Sequence, residues 1–188
     1  MPGIRGNSFA TINRWLAHRL GGEDYDDLLS AMRQPVANIL TRPDGWSWYP
    51  LEYLSEILEN IHSSIESVNG EALESLGSFL AEEDLGGGAP KVNGSRLPMP
   101  RVLVRIPYLW SRSMDCGDFS ILLVSESENK ASLCLSGYNG TTMHCALIRS
   151  WLKRCFELLS GAVVAVTETS CRHKNGGSAC HWDVNWDP

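Results

Sequence analysis

The hydrophobic rhythm changes partway along the chain, and that change limits the fold more than any single motif does. Leu51, Leu54, Leu58, Ile61 and Ile65 recur at alternating steps of three and four, which puts them on one face of a helix with 3.6 residues per turn. Near the C-terminus, Cys180, Trp182, Val184 and Trp186 alternate with Ala179, His181, Asp183 and Asn185. That is the two-residue period of a strand with one buried and one wet face.

The helical rhythm occupies the first half. Phe9, Ile12, Leu16 and Leu20 predict a helix from Ser8 that Gly21-Gly22 stops. Asp24 is read as the cap of a second helix carrying Tyr25, Leu28, Leu29 and Met32, limited by Pro35 and Pro43. The third starts near Pro50. Asn69 opens a fourth, with Ala72, Leu73, Leu76, Phe79 and Leu80 inward, and the acidic LAEEDL at its far end reads as solvated. Residues 1–85 are thus expected to form a helical lobe. GGGAPKVNGSRLPMP (86–100) reads as a linker or exposed loop.

Residues 101–188 are expected to form an α+β lobe. After a helical or extended segment over 101–110, DFSILLVSE and ASLCLSGY flank the turn-prone SENK and predict a hairpin. Thr141 or Thr142 caps a helix over 143–160, with Cys145, Ile148, Trp151, Leu152, Cys155, Phe156 and Leu159 as its stripe. AVVAVTE (162–168) and ACHWDVNW (179–186) close the chain as a second hairpin. The expected fold class is α+β: a helical lobe, then a ββαββ-type antiparallel sheet packed against a helix, the whole forming one compact domain.

Composition narrows the function. With 16 Lys+Arg against 22 Asp+Glu, the formal charge of −6 offers no basic field for phosphates or an anionic bilayer. Neither nucleic acid nor a membrane is an expected partner. The opening MPGIRGNSFATINRW lacks the apolar run of a signal peptide, and a cytoplasmic location is expected. There the six cysteines stay reduced, which ranks metal binding or core packing above disulfides. No GxSxG, P-loop, GxGxxG or HExxH pattern occurs, and Glu59 and His62 give a single Glu-x-x-His where di-iron bundles need two. No enzyme is expected.

ETSCRHKNGGSACHWDVNW (168–186) is where chemistry concentrates. Its two cysteines flank a glycine turn, three residues after a carboxylate. They can be half of a metal site, a disulfide-closed hairpin or small core residues. Zinc takes about four ligands at about 2.0–2.3 Å. Glu168, Cys171 and Cys180 can supply three, and Cys145, at the start of the 143–160 helix where free N–H groups favour a thiolate, is the best-placed fourth. Cys155 belongs to the apolar stripe; His144, His173 and His181 are substitutes for a missing ligand. Trp110, Phe119, Trp151, Phe156 and Trp182 fall where a pocket between helix and sheet would be lined, one suited to a flat apolar ligand. Trp46 and Trp48 stand in a loop that no core stripe explains.

ELLSGAVVAVTETSCRHKNGGSACHWDVNW resembles the end of 4-vinyl-reductase-type domains. In their sensor members, the input domains of aromatic-responsive transcription activators, a Glu and three Cys hold zinc. The resemblance implies zinc on Glu168, Cys171, Cys180 and an upstream Cys145. GNSFATINRWLAHRLGGEDYDDLLSAM, YPLEYLSEILENIHSSIE and EALESLGSFLAEE resemble the helical lobe of heme-nitric-oxide-binding (H-NOX-like) domains, which share that superfold with the TRAPP vesicle-tethering subunits. The implied function is a non-enzymatic sensing or signalling module that takes a small apolar ligand and reports through a homodimer or a protein partner. The alternative is a TRAPP-like scaffold with no ligand. Heme is not expected: LPMPRVLVRIPYLWSR lacks the proximal histidine, and YLWSR is not the Tyr-x-Ser-x-Arg clamp of that family.

Overall fold

The computed structural model describes residues 2–66, 71–86 and 96–187. Strand β1 (Gly3–Arg5) pairs antiparallel with β2 (Trp48–Pro50), Gly3 opposite Pro50, in a short ribbon that no period of the sequence announces. Between them lie three helices. α1 (Gly6–Arg19) buries Phe9, Ile12 and Leu16. α2 (Gly22–Ala31) is preceded by Gly21 in extended conformation with no side-chain cap. Asp24 therefore lies inside the first turn, against the positive end of the helix dipole, rather than capping it. Pro35 opens α3 (Gln34–Thr41) instead of limiting a helix, because proline in a first turn lacks only an N–H that would go unpaired.

α4 (Leu51–Ile61) buries Leu51, Leu54, Ile57, Leu58 and Ile61 and runs into a π-helical turn, His62–Glu66. α5 spans Ala72–Asp84; the expected start at Asn69 lies outside the described residues, as does most of the expected linker. The described end of that linker is not loop, since Met99 and Pro100 begin α6 (Met99–Leu103). α7 comes next at Ile106–Ser113.

Strands β3 (Asp118–Ser125) and β4 (Lys130–Ser136) form an antiparallel hairpin. α8 (Thr142–Ser160) then crosses to β5 (Val164–Ser170), and after the single turn α9 (Arg172–Asn175) the chain returns as β6 (Ala179–Trp186). The sheet order is β3-β4-β6-β5, all antiparallel, with β6 inserted beside β4. The structure is a mixed α+β fold.

One apolar cluster runs from Ile4 and Phe9 through Leu58 and Leu76 to Trp182 and Val184. The halves meet where α5 crosses α8. There Gly77 packs so closely that an added Cβ would collide with the Ser150 hydroxyl and the Leu147 carbonyl. Charged pairs flank the crossing: Glu74 with Arg149, and Glu82 with Arg154 at 2.6 Å.

Candidate functional site

The closing hairpin is built to turn three side chains inward. Along β5, Val164 and Glu168 face in while Ala165, Thr167 and Thr169 face water. Strict alternation would then send Cys171 outward. The β5–β6 register slips between Glu168 and Ser170, and such a bulge re-aims the side chains beyond it; Cys171 is accordingly buried. α9 ends at Gly176, whose φ of 69° suits glycine and lets the chain turn back. Cys180 on β6 is buried beside Trp182.

Cys145 comes from the first turns of α8. Its Sγ lies 3.5 Å from the Sγ of both Cys171 and Cys180, close to the roughly 3.8 Å edge of a tetrahedron with bonds of about 2.3 Å. A Glu168 carboxylate oxygen lies within 4.8 Å of the Cys145 and Cys171 sulfurs, and a His173 ring nitrogen within 4.8 Å of those of Cys145 and Cys180. Glu168 Oε2 accepts a hydrogen bond from Lys174 Nζ at 2.8 Å, whereas its Oε1 is buried without a partner. His173 Nε2 is likewise buried and unpaired. Cys145 is thus shared by two groups of three, one with Glu168 and Cys171 and one with His173 and Cys180, and among the described residues no single group within 4.8 Å holds all four residues named for zinc. All six cysteines are free thiols.

The electrostatics run against a Cys145 thiolate favoured by the helix terminus. The Thr141 N–H donates to His144 Nδ1 at 3.0 Å, and the Cys145 N–H goes to the Thr141 carbonyl. The capping box occupies the Thr141 and His144 N–H groups, and the Cys145 N–H lies in the helix's own hydrogen bonding, so none of these three is left for the sulfur. Burial instead pushes the Cys145 thiol well up, aided by hydrogen bonds with the neighbouring thiols, and raises Cys180 too. Thiolates here require a cation beside them. His144 is no substitute ligand, because accepting at Nδ1 places its proton on Nε2. Burial, then His173, lowers its pKa to about 4.

Of the five aromatics named for a pocket, Trp110 and Trp151 line a cavity between α1, α5, α7 and α8; Phe119, Phe156 and Trp182 are core and do not. The cavity is about 40 Å³, apolar except for Ser8, Ser113, Asp84 and the Tyr138 ring. Trp110 sits edge-on to Phe119, Tyr138 and Trp151 at 5.2, 5.3 and 6.2 Å. Asp84 escaped sequence reasoning. Its Oδ2 accepts from Trp151 Nε1 at 2.8 Å, and loss of water raises its carboxyl above the ordinary range. It also lines an outer cleft of about 460 Å³ with Arg5, Arg14, Trp46 and Arg112. These residues lie up to more than a hundred positions apart, from Arg5 to Arg112, and no local spacing marks them.

No protein-family model matches the chain, and no curated protein matches its sequence. Solved structures do match it along its whole length. An Fe(II) unliganded H-NOX protein mutant from K. algicida superposes with a TM-score of 0.72 at 11% identity, covering 98% of this chain and 97% of that one. An H-NOX protein from S. oneidensis in the Fe(II)NO state gives 0.71 at 13%, covering 98% and 100%. A structure from a study of heme distortion in the H-NOX family gives 0.70 at 11%, covering 98% and 96%. At such identities the likeness shows the fold: it is that of H-NOX proteins.

That finding corrects one expectation. A sequence without a histidine in 97–112 argues against heme, yet the matching structures carry Fe(II), and one concerns heme itself. The missing motif therefore does not exclude heme from this architecture. The interior cavity as packed is about 40 Å³, and its lining holds neither an imidazole nor a thiol.

Proposed function

We propose that the protein is a non-enzymatic sensing module in which a small molecule enters between the helical lobe and the sheet. In the same proposal, a structural zinc ion on Cys145, Glu168, Cys171 and Cys180 pins the closing hairpin to α8. The observation carrying the zinc reading is the meeting of three buried thiols, two at 3.5 Å from the third, with an unpaired buried carboxylate oxygen. Buried polar groups are almost always satisfied, and an orphan at such a cluster is accounted for by an ion. The sensing reading is supported by whole-length likeness to H-NOX proteins, one of them in an Fe(II)NO state. The sequence carries none of the catalytic patterns named above, which agrees with a sensor.

The test is metal content. Protein purified without chelators is expected to hold about one zinc per chain, and Cys171→Ser or Cys180→Ser to lose it with a large fall in melting temperature, since structural zinc contributes on the order of 10 kcal/mol. Metal-free wild-type protein would remove the zinc site from the proposal. Iron read in the same measurement reports any heme.

One feature favours the scaffold reading instead. Leu122, Leu123 and Val124, at 57%, 49% and 42% exposure, crowd the edge strand β3, and an apolar edge invites a partner. Binding there would leave metal content unchanged.

A further inference from the structure

The outer cleft has the build of a binding site for an anion. We propose that it takes a small planar aromatic acid, with the carboxylate on Arg112 and the ring against Trp46. This rests on the reading of the gap between the lobes as a ligand site.

At about 460 Å³ the cleft falls within the roughly 300–1,000 Å³ of small-molecule sites. In a chain of net charge −6, three arginines converge on it. Arg14 shares its guanidinium with Glu83 and the Thr11 hydroxyl. Arg5 donates to the Trp46 carbonyl at 2.9 Å and covers the Trp48 ring, so it braces the loop. Arg112 faces Asp84 and, among the described residues, forms no ion pair. It is the guanidinium left to take a carboxylate. Asp84 is a weak competitor, because burial favours its neutral form.

Trp46 supplies the flat surface. It is 81% exposed, yet its loop is pinned: Asp44 Oδ1 accepts from the Trp46 N–H at 3.0 Å, Asp44 Oδ2 accepts from the Ser47 hydroxyl at 2.7 Å, and the Asp44 N–H donates to the Tyr49 hydroxyl at 2.9 Å. The backbone that carries this exposed indole is thereby fixed, which presents an aromatic face at a set place on the cleft wall. Asp84, Leu109 and Ser113 line both this cleft and the interior cavity, so the two adjoin.

Calorimetric titration of the full chain with 2-naphthoate and its neutral counterpart 2-naphthamide tests the proposal. The acid is expected to saturate and the amide to bind at least about tenfold more weakly, some 1.4 kcal/mol. Arg112→Gln, an exposed change, is expected to abolish that preference, and Trp46→Ala to weaken both probes, with the far-ultraviolet circular dichroism unaltered. Equal binding of acid and amide, or an acid preference that survives Arg112→Gln, overturns it. So does naphthoate that fails to saturate. Binding of the amide alone would sink the acid site while leaving a sensing pocket standing, and the zinc site is decided separately by metal content.

Discussion

Asp84 and Cys145 show how differently single residues reveal themselves. The metal-site candidates were legible because Glu168, Cys171 and Cys180 lie within one short stretch, and Cys145 heads the helix packed beside it. Asp84 was not: LAEEDL has the composition of a solvated helix end, and only the crossing of α5 on α8 turns the third of its acids inward onto Trp151. Its raised carboxyl pKa means that the folded state holds the proton more tightly than the unfolded chain does. Asp84 therefore suits the fold at low pH and loses stabilising effect as pH rises through the raised value. Asp84→Asn retains an acceptor for the indole and cannot ionise. Thermal melts from about pH 4 to pH 8 should show the variant matching wild type at the acid end and gaining on it toward neutrality. A gap that stays constant or narrows as pH rises would show that the carboxylate is well solvated.

Elements declared themselves in proportion to how much periodic stripe they carry. α1, α4, α5 and α8 each bury a row of apolar side chains and were readable. β1 and β2 are too short to show a period, and α3 was hidden by a proline that reads as a stop signal although it starts the helix. The α5–α8 crossing was invisible as well, because one glycine inside a helical run has no spacing to recognise. Gly77 brings the two backbones together, with the Leu147 carbonyl and the Trp151 N–H both close to where a Cβ would stand. Gly77→Ala improves intrinsic helix propensity by roughly 1 kcal/mol but must push α5 off α8. Overpacking against backbone wins, and a net destabilisation of about 1–3 kcal/mol is expected in urea unfolding. A neutral or stabilising result would mean that the helices slide apart without cost.

At the scale of the whole molecule, the two halves of the chain, different in rhythm, share one apolar cluster, and α8 packs against elements of both. One of its faces takes α5, and the opposite turns carry Cys145 to the hairpin. An event at the thiols should therefore not stay local. Domains of ordinary stability have about 5–15 kcal/mol to lose, and structural zinc contributes on the order of 10 kcal/mol. Chelation should bring the protein to the edge of unfolding as one body. Far-ultraviolet circular dichroism, dominated by the helices, and near-ultraviolet circular dichroism, dominated by packed tryptophans such as Trp110, Trp151 and Trp182, should then fall together, at a lower temperature than in untreated protein. Near-ultraviolet signal lost well before the helices melt would mean that the sheet unfolds alone, so that the shared cluster does not couple the lobes and α8 holds to α5 without help from the hairpin.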